Sequence, residues 1–134
     1  MNYGDYLEKY FNADVDNFAV SGLTTEGQLE KLNEPEIENS IKDADIICLS
    51  IGGNDLMDIV EDAFSNSGAE KIISGEDSNF NLSAEFIQNF ILNYSSAFGS
   101  AAANAGSNIE EITNKIKDLN PEAEIIIQTI YIPF

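Results

Sequence analysis

Apolar residues recur along this chain at two different periods, and the switches between them set out an order of elements. In "YGDYLEKYF", residues 3–11, Tyr3, Leu7 and Tyr10 stand at helical spacing with Phe11 beside them. "VDNFAV", 15–20, reads as a strand that stops at Ser21-Gly22. "TTEGQLEKL" then opens a helix, with Thr25 and Gln28 three apart as in a capping box, where each side chain satisfies an unpaired backbone N–H. Pro35 interrupts that helix and the stripe resumes through Ile37 and Ile41. "DIICLSI", 45–51, is a continuous apolar run rather than an alternating one, which suits a strand covered on both faces.

After Gly52-Gly53 the spacing of Leu56, Ile59, Val60 and Phe64 predicts a short helix over 55–64, and residues 65–83 have the composition of a loop. Phe86, Phe90, Tyr94 and Phe98 then recur every four residues, and Ile109, Ile112, Ile116 and Leu119 resume the stripe. This is one long helix or two, with a break expected near Gly99 or Gly106 where side-chain packing thins. "NPEA", 120–123, is a turn, and "EIIIQTIYI", 124–132, is a third strand stopped by Pro133. The order helix, strand, helix, strand, helices, strand indicates one α/β domain over residues 1–134, with a parallel sheet and helices on both faces. Ligands bind such sheets beyond the carboxyl ends of the strands. Gly22 and the Gly52-Gly53-Asn54 group both fall at that edge.

Charge narrows the partners. Asp and Glu total 24 against 6 Lys and Arg, a net charge of −18. That balance repels phosphate backbones and anionic lipid, so neither nucleic acid nor a membrane surface is expected as a partner. No apolar run reaches transmembrane length, and "MNYGDYLEKYF" has acids and tyrosines where a signal peptide has a basic and an apolar segment. The single cysteine, Cys48, lies inside the second strand and reads as a small buried hydrophobe. The chain has no histidine, which removes any Ser-His or Cys-His pair and any imidazole zinc site within it. No cofactor or metal is expected. "DSNFNLSAEFIQ", 77–88, places oxygen donors at alternate positions like a calcium loop, but Leu82 replaces the turn glycine and Gln88 the closing glutamate. A solvated surface loop or a lid over a pocket remain the two readings of 65–83.

The chemistry concentrates in the two turns. Glycine lets another group approach a bare backbone N–H, and asparagine brings two amide donors without charge. Two such elements side by side can stabilise the negative oxygen that develops when a carbonyl is attacked. Local readings compete with this one: Asn54 as a cap of the helix that follows, and Gly22 as a tight turn from strand to helix.

Together, "NFAVSGLTT" (17–25) and "SIGGNDL" (50–56) resemble the second and third conserved blocks of the SGNH, or GDSL-type, hydrolases, and "NPEAEIIIQTIYIPF" (120–134) resembles the strand that usually follows them. The resemblance spans nearly the whole chain, with the right spacing between blocks. It implies a flavodoxin-like three-layer α/β/α fold around a parallel sheet, and hydrolysis of a small carboxylic or acetyl ester through a serine acyl-enzyme. Carried over, the oxyanion-hole donors are the Gly22 backbone N–H and the Asn54 side chain, while Asp55 takes a structural role such as a helix cap.

Two of the family's blocks have no counterpart in these 134 residues: the GDS block with the nucleophile, on a strand before the first helix, and the late Asp-x-x-His block. "YIPF" also departs from the Tyr-Asn-Pro often found at that place. Ser21 and Ser50 lie near the site but have no candidate base. The resemblance therefore implies a truncated domain that encodes the oxyanion half of the machinery, is inactive alone, and is marginal, partly unfolded or oligomeric, its unpaired strand edges inviting self-association. Two other classes stay in view. One is a non-catalytic binding module on the same fold. The other is a receiver- or flavodoxin-like domain, whose clustered acids and late lysine cannot be located here.

Overall fold

The computed structural model describes residues 3–66 and 84–128. The chain runs through α1 (Tyr3–Phe11), α2 (Thr25–Lys31), α3 (Pro35–Asp43), β1 (Ile46–Leu49), α4 (Asn54–Asn66), α5 (Ala84–Leu119) and β2 (Glu124–Ile127). Each helix begins or ends where its residues allow it. Helix α1 stops at Asn12, which takes the left-handed conformation at φ 51°, a position asparagine tolerates better than most side chains. Pro35 occupies the first turn of α3, where a missing N–H costs nothing.

Strands β1 and β2 are parallel neighbours, with Ile46 opposite Glu124 and Leu49 opposite Ile127. Backbone bonds of 2.8 Å from Glu124 N–H to the Asp45 carbonyl and from Gln128 N–H to the Leu49 carbonyl close the ladder at its ends. Parallel strands need a long crossover, and α4 and α5 lie within it. The inward residues Ile47, Leu49 and Ile125 pack against a core of Leu32, Ile37, Ile41, Ile112 and Ile116, so α2, α3 and the second half of α5 share one face of the sheet.

Several expectations change. Residues 15–20 form no strand: the segment has no ladder partner among the described residues, and a strand exists only through its neighbour. Phe18 from this segment nevertheless packs against the core. Among the described residues the run 45–51 is covered on one face, not two; Ile46 is 56% exposed on the other face, and Cys48 is exposed rather than buried. Continuous hydrophobicity hid an alternation that the sheet's single covered face imposes. Helix α5 passes through Gly99 and Gly106 unbroken, because neither glycine has to bend away from a neighbour and the flanking stripe is anchored at Ile112 and Ile116. At about 1.5 Å per residue its 36 residues reach about 54 Å. From Phe90 onward the stripe in its first half holds, the rings of Phe90 and Tyr94 lying 5.6 Å apart and those of Phe90 and Phe98 5.8 Å, while the Phe86 side chain lies outside what the structure describes. The loop expected over 65–83 falls outside the described residues from 67 onward, as do 77–83 of the calcium-like stretch and 129–132 of the last strand.

Asn120 joins the halves of this unit. Its amide donates to the carbonyls of Ile41 and Ala44 at 2.9 Å and of Lys42 at 3.3 Å, satisfying the end of α3. Its Oδ1 accepts from the backbone of Glu122 and Ala123, which shapes the turn into β2. A single side chain thereby holds β2 in register beside the strand that α3 leads into.

Candidate active site

The site grows from the two turns. Gly22 has φ 80°, a conformation strained for a residue with a Cβ, although a Cβ placed there would meet nothing within 4 Å. The requirement at Gly22 is thus conformational rather than steric, and it leaves the turn open on that side. Gly52 is buried at φ 102°, so β1 can swing into α4 within a few residues only through glycine. Asn54 is the first residue of α4.

The Asn54 side chain does not cap its own helix. Its Nδ2 donates to the Leu23 carbonyl at 2.9 Å, across 31 residues of sequence and one residue beyond Gly22. The amide headgroup is therefore held beside the first turn by one of its two N–H bonds. The second N–H, and the backbone N–H of Gly22, have no hydrogen-bond partner among the described residues. Ser21 and Ser50 are exposed, and neither side chain bonds to a described group that could act as a base.

Asp55 supports the arrangement from beneath. Its carboxylate accepts from the Thr25 backbone N–H with both oxygens, at 3.2 and 3.0 Å, and from the Thr25 hydroxyl at 2.5 Å. The Thr25 hydroxyl in turn accepts from Asn108 Nδ2 at 2.9 Å. Thr25 is fully buried, so water cannot replace these partners. The expected capping box at Thr25 and Gln28 is displaced: the N-cap is Thr24, whose hydroxyl accepts from the Gly27 N–H at 3.2 Å. Thr25 lies inside the helix because Asp55 supplies the bond that its N–H lacks there. Asp55 is indeed a cap, but of α2 rather than of its own helix. No sequence signal pointed to Asn108, which lies 83 residues from its partner on a helix whose rotation only packing sets.

The described residues form an α/β unit with a parallel two-stranded sheet, and beyond the carboxyl end of β1 the Asn54 amide is bonded to the turn that holds Gly22. The sequence matches the model of the GDSL-like lipase/acylhydrolase family over residues 2–131, and the chain belongs to that family. It is also 32% identical over 121 residues to the uncharacterized protein YpmR of Bacillus subtilis (strain 168), a match covering 90% of this chain and 37% of that protein. The chain thus spans about a third of the length of the curated relative it matches. No solved structure gives a significant match. Family membership makes the chain part of a hydrolase family with an α/β fold, and no described helix is long and apolar enough to cross a membrane.

Proposed function

We propose that this chain supplies the oxyanion-stabilising part of a serine ester hydrolase. The Gly22 N–H and the second N–H of the Asn54 amide donate to the oxygen that turns negative when a small carboxylic or acetyl ester is attacked. The bond from Asn54 to the Leu23 carbonyl carries this reading, because it fixes a neutral two-proton donor next to the glycine turn and leaves one proton to give. In the reaction the base takes the serine hydroxyl proton as the serine oxygen adds to the carbonyl carbon, and the C=O pair moves onto oxygen, where the two donors meet it. Collapse expels the alcohol, which takes a proton from the base, and water then releases the acid from the acyl-serine. Both donors are fixed before attack, so no solvent must reorganise as the charge appears.

The serine and its base belong to parts of the fold that these residues do not encode, since the chain holds no histidine and no Gly-Asp-Ser. A three-layer sandwich, with a further strand beside β1, completes the architecture in this reading. The chain alone is expected to show no saturable turnover of p-nitrophenyl acetate. The same chain extended by flanking coding sequence with an upstream Gly-Asp-Ser and a downstream Asp-x-x-His is expected to turn it over. Enzyme-like turnover by the short chain would overturn the proposal, and start and stop codons at its own ends would favour a non-catalytic module.

The uncovered side of the sheet bears on how the chain behaves in solution. On the outward face of the sheet Ile46 and Ile126 are each more than 40% exposed, and outside the sheet Val20, Tyr10 and Phe11 are exposed as well. The outer edge of β1 has no strand against it among the described residues. We propose that copies of the chain associate through this surface, opposed by their charge of −18. Because salt shortens the reach of that repulsion to about 8 Å at physiological strength, association should strengthen as salt is raised. Sedimentation velocity at several concentrations and salt levels tests this; a monomer under all of them would refute it.

A further inference from the structure

We infer that Asp55 is the positioning residue of the donor pair, acting through Thr25 to set where the Asn54 amide stands relative to Gly22. The inference rests on the oxyanion reading above for its catalytic meaning, but its geometry stands separately. Asn54 and Asp55 are adjacent in the first turn of α4, so whatever holds one carboxylate holds the neighbouring amide. Asp55 is bound by three contacts to a single residue, Thr25, on α2. Thr25 follows Leu23 by two residues, and Leu23 carries the carbonyl on which Asn54 is seated. Both turns are thus referenced to one buried point.

The chain of donors runs in one direction, from the Asn108 amide to the Thr25 hydroxyl and from that hydroxyl to the carboxylate. Hydrogen bonds in such a series strengthen one another, and the terminal acceptor is charged, which shortens the last link. Three elements, α2, α4 and α5, meet there. Without the carboxylate, α4 keeps its helix but loses the strut that fixes its first turn against the glycine turn. The Asn54 amide would then sample positions in which its second proton no longer points with the Gly22 N–H.

An amide in place of the carboxylate makes the sharpest test. Asp55→Asn preserves shape, and its one oxygen can still receive the Thr25 hydroxyl. Its NH₂ group, in place of the oxygen at 3.0 Å, then faces the Thr25 backbone N–H, donor against donor, beside a fully buried Thr25. The measurement is hydrogen exchange and chemical shift of the Asn54 side-chain NH₂ in ¹⁵N-labelled chain, with the Ile112 and Ile116 methyl signals reporting the core. In the unsubstituted chain one of the two Asn54 protons, the one on the Leu23 carbonyl, should exchange at least tenfold more slowly than the other. Asp55→Asn is expected to abolish that difference while the methyl signals hold. Thr25→Val, which keeps the buried shape and the backbone N–H but removes the hydroxyl, should reduce it, and Thr25→Ser should restore it.

In a longer protein carrying this chain with its nucleophile, Asp55→Asn should lower kcat tenfold or more with KM nearly unchanged. If Asp55→Asn does not fold, Thr25→Val against Thr25→Ser decides. An unchanged Asn54 signature in folded Asp55→Asn or Thr25→Val overturns the inference and leaves the donor pair standing. Full activity of Asn54→Ala would instead remove the donor pair, and with it any catalytic meaning of Asp55, whatever the exchange data show.

Discussion

Replacing Ile112 or Ile116 by alanine is expected to cost ~2–5 kcal/mol, a large part of the ~5–15 kcal/mol by which a whole domain is stable. Both side chains are 0% exposed, and they are the points where α5 meets the cluster of Leu32, at the end of α2, with Ile37 and Ile41 of α3. Each truncation removes buried methyl groups and leaves a cavity that three separate elements would have to close together. With a urea slope of ~1–3 kcal/mol per M, the midpoint should fall by about 1 M or more at constant slope. Ile91→Ala on the same helix, where the side chain is 55% exposed, should shift stability by less than ~0.5 kcal/mol. Equal small effects at the three positions would mean that α5 is not the backbone of this core.

The second large effect concerns rate. In a longer protein that contains this chain together with a nucleophilic serine and a base, Asn54→Ala should lower kcat by ~10²–10³, as the loss of one preorganised oxyanion donor does elsewhere. KM should change little, since the donor's full partner is the negative oxygen of the transition state and not the ester carbonyl. Ser50→Ala, close by in sequence but exposed, should leave kcat and KM as they are. Far-UV circular dichroism of the Asn54 variant separates a lost donor from a lost fold, because the same amide also holds the Leu23 carbonyl. A loss below tenfold in a folded protein would count against the assignment.

Local chemistry made much of the fold legible. The interruption at Pro35, the stripe of Ile37 and Ile41, the helix after Gly53 and the pairing-prone run 45–51 all follow from periods and punctuation that a few neighbouring residues express. Family blocks placed Gly22 and Asn54 at two turns, and the structure seats the Asn54 amide one residue beyond Gly22. What stayed hidden depended on partners far along the chain. Residues 15–20 have the composition of a strand and lack a neighbour to bond among the described residues. Thr25 looked like a cap until Asp55, 30 residues away, took its N–H and moved the cap to Thr24.

The sequence by itself determined which segments coil, where they stop, which turns demand glycine, and that no imidazole chemistry is available within the chain. Those properties arise from dihedral preferences and side-chain type, which act over one or two turns of backbone. Tertiary structure alone decided which face of β1 is covered, that α5 runs on through its glycines, and that Asp55, Thr25 and Asn108 close into one buried strut. These depend on how whole elements are rotated and stacked. That choice is set by collective burial, and no single stretch of residues records it.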